Sequence, residues 1–167
     1  MLSLERATDA DEIFALYQRC TAALLAAGIR QWDAVYPNRQ TAADGIARGD
    51  LFHLRADGTK VGAVTLNALA APEYGPIRFE APPPALIVHA LVIDPVLQRK
   101  GMGKAAMDAC EAYGRAHGFR CVRLDAYPGN PAAIRLYEQR GYQLRGEVHF
   151  PFKPPGLTRY VVYERSL

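Results

Sequence analysis

The residues of this chain best suited to chemistry lie between positions 98 and 104: Gln98, Arg99, Lys100, Gly101, Met102, Gly103 and Lys104. A hydrophobic run from Leu86 to Ile93 precedes them and ends at Asp94-Pro95; a helix-like run from Ala105 to Tyr113 follows. A glycine-containing loop that leaves a buried strand and opens a helix points several backbone N–H groups at one spot, and the helix dipole adds partial positive charge there. Gly101 and Gly103 have no Cβ, so an anion can come close to the main chain. The chemistry implied is the holding of phosphates, a pyrophosphate above all. Two common phosphate loops fit poorly. Gly103-Lys104 lacks the first glycine of a Walker loop and is followed by Ala105. A dinucleotide fingerprint would have Ala106 at its third glycine, and no clear acidic residue ends a second strand at ribose-binding distance. A tight strand-to-helix turn, with glycines present for packing, would account for the pair by itself.

A second segment decides between these. Asn130-Pro131-Ala132-Ala133-Ile134-Arg135-Leu136-Tyr137-Glu138-Gln139-Arg140-Gly141-Tyr142 follows the strand-like stretch Cys121 to Ala126. Asn130 suits a helix N-cap and Pro131 the first helical position. Gly141 falls where a helix end takes a left-handed residue. Ala133, Leu136, Tyr137 and Arg140 share one side of this short helix.

The pattern Q-x-x-G-x-G after a strand, followed by N-P-A-A-x-x-L-Y-E-x-x-G-Y, resembles the two core motifs of the GNAT N-acetyltransferase superfamily. The resemblance is strongest from Ala85 to Tyr142. It implies an enzyme, an acyltransferase that binds acetyl-CoA and transfers its acetyl group to an amine. It also implies an α+β fold, with a central mixed, mostly antiparallel sheet of about seven strands flanked by about four helices. In that fold the fourth and fifth strands splay apart and the pantetheine arm fills the gap. By resemblance Leu91, Val92 and Ile93 line the pantetheine and thioester, while Gln98, Arg99, Lys100, Gly101, Met102, Gly103 and Lys104 wrap the pyrophosphate. Asn130 contacts the cofactor as well as capping its helix. Tyr137 sits near the cofactor sulfur, where a phenol with a pKa near 10 stays protonated at neutral pH and can give its proton to a thiolate.

Acetyl transfer to an amine requires a neutral nucleophile, a donor for the developing oxyanion, a proton for the leaving thiolate and a fixed approach of the reactants. The base is the open part of this constellation. Many relatives carry a Glu on the fourth strand, whereas this strand has none and the matching position is nearer Ile87. His89 shares a strand face with Ile87 and titrates near working pH, which suits a base; a satisfied core histidine is the alternative. Glu80 and Glu73 in a proline-rich segment, Asp125 on the next strand, and a water chain are other sources. Trp32 and Tyr36, in the loop after the first helix, join Glu80 and Asp125 as acceptor-binding candidates, because loop aromatics often line ligand sites.

These residues need a scaffold, and the rest of the chain supplies one. The 167 residues suffice for a single domain, taken as 1–167, with a substantial core. Leu2 to Arg6 alternates like a strand. Thr8 or Asp9 can cap a helix running to about Ala27, Thr41 to Arg48 can form another, and Leu51 to Arg55 with Lys60 to Ala68 reads as a hairpin around Asp57-Gly58. Five prolines between Pro72 and Pro84 mark a loop, and Tyr142 to Phe150 with Arg159 to Arg165 gives two last strands. A net charge of +3 without a lysine or arginine stripe argues against nucleic acid. Three cysteines with no C-x-x-C pair suggest neither a disulfide framework nor zinc, and no metal is expected. No stretch is apolar for long enough to span a membrane or act as a signal peptide, so the expectation is a cytoplasmic protein without a membrane partner. The sequence reading is an N-acetyltransferase acting on a primary amine, most simply of a small molecule, by direct attack, as a monomer or homodimer. A protein or peptide N-acetyltransferase and a non-catalytic acyl-CoA-binding sensor stand beside it.

Overall fold

The computed structural model describes residues 2–98 and 101–167; Met1, Arg99 and Lys100 lie outside the described residues. Strand β1 is Ser3–Arg6. Helix α1, Ala10–Ala26, starts where Asp9 accepts hydrogen bonds from the Asp11 and Glu12 amides, and it buries Ile13, Leu16, Tyr17 and Cys20 at helical spacing. Helix α2, Arg39–Arg48, begins two residues before the expected Thr41. The reason is a capping box: Asn38 accepts from the Thr41 amide, and the Thr41 hydroxyl accepts from the Asn38 amide. Strands β2, Leu51–Ala56, and β3, Thr59–Asn67, pair antiparallel around Asp57 and Gly58, whose φ values of 48° and 80° are those of a tight hairpin turn.

A 3₁₀ turn at Pro72–Tyr74 interrupts the proline-rich segment. Strand β4, Ala85–Ile93, is followed by a second 3₁₀ turn at Pro95–Leu97. Helix α3 spans Met102–Ala116, so it starts three residues before the expected Ala105, and Gly103 and Lys104 belong to its first turn. Strand β5, Cys121–Ala126, leads to α4, Pro131–Gln139, then to β6, Gln143–His149, and β7, Arg159–Ser166. The seven strands form one mixed sheet in the order β1-β2-β3-β4-β5-β7-β6, with four α-helices among the described residues. Strands β4 and β5 pair in parallel, whereas β1–β2, β2–β3, β5–β7 and β6–β7 pair antiparallel. The α+β architecture expected from the sequence is the one observed.

The chain forms two compact units. The first comprises Met1–Leu66 and Val88–Cys110. Its core joins Ile13, Leu16, Tyr17 and Cys20 of α1 to Trp32, Leu51, Ala63 and Val92. The second comprises Asn67–Ile87 and Glu111–Leu167. On one face of its strands Tyr74, Val148, Phe150, Tyr160 and Val162 pack together. Two charged networks brace it. Glu111, 3% exposed, accepts from Arg140, Tyr142 and Arg165. Glu164, 2% exposed, accepts from the Glu80 and Ala81 amides and pairs with Arg123 and Arg145, so it fastens the proline-rich segment to β7. The three cysteines are free and buried.

Candidate active site

In the first unit, the end of β4 and the start of α3 flank the segment expected to hold phosphates. Asp94 accepts from Arg19 at 2.6 and 3.1 Å and from the Val96 amide at 3.2 Å, which fixes the turn after the strand. Burial is the largest single effect and works against this charge, but the Arg19 hydrogen bond, the Val96 amide and the Arg19 charge together hold the Asp94 carboxyl below its usual value of 3.8. The Gln98 side-chain amide donates to the Ile93 carbonyl at 3.1 Å, tying the loop back to its strand. Gly101 then adopts φ +88°, and its carbonyl takes the Ala105 amide, so α3 is wound from that point. The first turn of α3, from Met102 to Lys104, points its amides back along the helix axis toward the loop. No acidic residue stands in that turn, and a Cβ built on Gly101 would meet nothing within 4 Å. These features fit a pyrophosphate: the positive end of a fifteen-residue helix and room for an anion at Gly101. Arg99 and Lys100, named for the same role, lie outside the described residues. A recess of about 430 Å3 adjoins the loop, lined by Ala56, Asp57, Thr59, Val61, Val96, Leu97, Gln98 and Met102.

The strand that feeds this loop is irregular. Pairing of β4 with β5 covers Ala85–Ile87 against Cys121–Arg123, and β4 then runs on to Ile93. Ala90 within it has φ +46°. Val92 is buried in the core of the first unit, while His89, Leu91 and Ile93 are half-buried. Ile87, near which the resemblance would set a strand Glu, is 1% exposed. Trp32 is a core residue, set edge-to-face on Tyr17 with centroids 6.3 Å apart, and Tyr36 packs against the same cluster as Ala90 and Val92. Thus two acceptor candidates and one thioester candidate meet in one core.

In the second unit, the Asn130 side chain accepts from the Ala133 amide at 3.2 Å and starts α4 with Pro131 in its first turn, as expected. Tyr137 is 9% exposed, with its ring against Tyr142 and Tyr163 at 5.8 and 6.2 Å. Burial first, and Glu138 second, push the Tyr163 hydroxyl up to about 12. Glu80 is held by Arg145, Oε1 to Nη1 at 2.6 Å and Oε2 to Nη2 at 2.9 Å. Its carboxylate is therefore engaged in a two-pronged ion pair.

Asp125 is placed differently. Its Oδ1 accepts the Tyr74 hydroxyl at 2.8 Å. Burial pushes its carboxyl above the ordinary 3.8, opposed by the Tyr74 hydrogen bond and then by the Lys153 charge, and assisted by Glu73. Tyr74 is raised well above 10 by burial and then by Asp125, and it also senses Tyr137. The sequence named Asp125 and Tyr137, but the Tyr74–Asp125 bond and Lys153 went unnoticed as partners. Tyr74 and Asp125 are 51 positions apart, and no local pattern connects them.

The chain matches the model of the acetyltransferase (GNAT) family over residues 10–142, and it belongs to that family. It is accordingly an acyltransferase, of a family that uses acetyl-CoA and acts on amines. A search of curated proteins gave no match. Among solved structures, a GNAT acetyltransferase from Streptococcus agalactiae is 20% identical with a TM-score of 0.81, covering 99% of this chain and 95% of that one. The ribosomal-protein-S18-alanine N-acetyltransferase of Escherichia coli is 16% identical with a TM-score of 0.69, covering 99% and 94%. An acetyltransferase of Salmonella typhimurium, solved with its cofactor acetyl-CoA, is 15% identical with a TM-score of 0.67, covering 99% and 94%. At these identities the likeness is one of fold. No helix among the described residues is long and apolar enough to cross a membrane.

Proposed function

We propose that the chain transfers the acetyl group of acetyl-CoA to a primary amine of a small molecule by direct attack of the amine on the thioester. The observation that carries this is the start of α3. There the positive end of α3 follows a left-handed Gly101, with no carboxylate in the first turn to repel a diphosphate. Bound acetyl-CoA supplies an electrophilic carbonyl and a thiolate leaving group. In this reading Gln98 to Lys104 hold its pyrophosphate, main-chain groups of Leu91 to Ile93 receive the thioester arm, Asn130 adds a contact, and Tyr137 gives a proton to the departing sulfur.

A second reading has its own observation. Buried Ile87 occupies the place where the resemblance calls for a strand Glu, so a sensor that binds acetyl-CoA without turnover is the rival. Calorimetry with CoA and acetyl-CoA, followed by a thiol-release assay over an amine panel that includes peptides with free N-termini, separates these. Binding with turnover of small amines supports the proposal. Binding without any turnover selects the sensor, turnover of peptides alone selects a peptide acceptor, and no binding at millimolar CoA overturns all three.

A further inference from the structure

We propose that Asp125, positioned by Tyr74 and Lys153, is the base that takes the proton from the acceptor ammonium; this rests on the reading of the chain as an amine acetyltransferase. Along β5 the side chains of Arg123, Asp125 and Tyr127 share one face. Arg123 is spoken for, by Glu164 at 2.9 Å and by the Phe79 ring 3.7 Å from its guanidinium carbon. Asp125 stands opposite Val162 of β7 and beside the cluster of Tyr74, Phe150 and Tyr160, where an amide or an apolar side chain would cost less than a carboxylate. Its ionised form has two supports there. Tyr74, 4% exposed, donates a hydrogen bond of 2.8 Å, and Lys153, 8% exposed, brings a positive charge from the β6–β7 connection, with its ammonium 5.7 Å from the Tyr160 ring centre. Glu73, on the same 3₁₀ turn as Tyr74, acts against that charge. Asp125 as a whole residue is half-buried.

A carboxylate raised from its usual range yet still supported in its charged form is matched to accepting a proton near neutrality. The step balances. One proton passes from the ammonium to Asp125, and the freed nitrogen pair forms the C–N bond. The thioester C–S bond breaks with its pair going to sulfur, which takes the Tyr137 proton. The second nitrogen proton leaves to water, the phenolate is restored from water, and Asp125 then gives its proton to solvent, one proton being released in all. Of the other carboxylates considered for this work, Glu80 is already claimed by Arg145.

The test is the pH dependence of kcat/KM for one amine from the panel, used for every variant so that its own ionisation cancels. Asp125→Asn should lose about 10²-fold or more while binding acetyl-CoA as the wild type does. Tyr74→Phe and Lys153→Met each remove a group that favours the carboxylate, so the acid limb should move to higher pH by about one unit. Glu73→Gln removes a repelling charge and should move it the other way. If Lys153→Met does not fold, the opposed shifts of Tyr74→Phe and Glu73→Gln decide. A clamp holding the proline-rich segment would instead lower the melting temperature of Tyr74→Phe and leave the limb in place; that result, or Asn at 125 with wild-type turnover, overturns the inference alone. A wild type that acetylates no amine overturns the functional reading and this inference with it.

Discussion

Replacing Gly62 with alanine puts a methyl group where β3 lies against β4. Its Cβ would stand 2.1 Å from the Val92 carbonyl oxygen and 3.2 Å from the Ile93 Cα. Since Cβ contacts under 3.0 Å essentially do not occur, and 3.0 less 2.1 leaves about 0.9 Å, one of the two backbones must move by about that much. Both contacts are main chain or close to it, so no rotamer change can relieve them. Overpacking of this kind costs about 1–3 kcal/mol, or about 2–12 °C in melting temperature for a chain of this size. The displaced atoms belong to Val92 and Ile93, to which we assign the thioester arm. A misplacement of about 1 Å at a reacting group costs about 10²-fold. Gly62→Ala should therefore lower kcat about 100-fold in the thiol-release assay, while the dissociation constant for CoA changes by less than about threefold, because affinity rests largely on the α3 amides. Gly28→Ala is the control. Gly28 has φ +76° with nothing within 4 Å of an added Cβ, so alanine there brings torsional strain of about 1–2 kcal/mol without displacing β4. A folded Gly62→Ala protein with wild-type kcat, or a Gly28→Ala protein that loses as much activity, would refute the placement of the thioester on β4.

Tyr137→Phe should lower kcat tenfold or more with CoA affinity retained by calorimetry, and unchanged turnover removes Tyr137 as the acid. Glu111→Ala leaves Arg140, whose side chain is 8% exposed, without its carboxylate; removing one partner of a buried pair costs about 3–5 kcal/mol. The melting temperature should then fall by about 6–20 °C by circular dichroism, and a fall of under about 2 °C shows that solvent reaches the site. His53 is 3% exposed with no hydrogen bond to either ring nitrogen, and burial, then Lys60, depress its pKa below 6.5 against the pull of Glu12 at 3.4 Å. Because the unfolded chain takes up this proton first, its contribution to stability is whole above pH 6.5 and is lost as pH falls below that value. His53→Leu should flatten the melting temperature between pH 7 and 5, and an unchanged slope points to another group.

What the sequence made legible was what short-range physics dictates. Asp57-Gly58 closes a hairpin because both residues can take positive φ, and Asn130-Pro131 opens a helix because one accepts an amide proton and the other needs none. The two helix starts that moved did so for local reasons as well. Asn38 and Thr41 satisfy each other, which pulls α2 forward, and the turn made at left-handed Gly101 lets α3 wind through Gly103 despite the glycine's poor helix propensity. The stretch Gln98 to Lys104 and Tyr137 could be proposed from sequence because each lies inside a contiguous motif. Tyr74 with Asp125 and Glu80 with Arg145 were not, because each pair is joined only once segments distant in sequence are laid side by side. Trp32 shows the converse. An aromatic in a loop looked like a ligand wall, yet it fills the core over α1, since a segment of irregular backbone must be fastened somewhere.

The torsion at Ala90 bears on where the chemistry belongs. A non-glycine residue in the left-handed region costs about 1–2 kcal/mol, and in the middle of a strand it earns no turn in return. Such strain persists only where both sides are held. Before Ala90 the strand is buried continuously from Ala85 to Val88 and pairs with β5. After it, Val92 is sunk in the first core, the Ile93 carbonyl is held by Gln98 and Cys20, the Asp94 amide donates to Val61, and Arg19 grips the Asp94 carboxylate. The kink thus falls where one well-fastened stretch hands over to another, between His89 and Leu91. A uniform core strand would gain nothing from it. A strand whose main chain must turn toward a ligand would, and this is the physical reason for setting the thioester at Leu91 to Ile93 rather than reading β4 as packing alone.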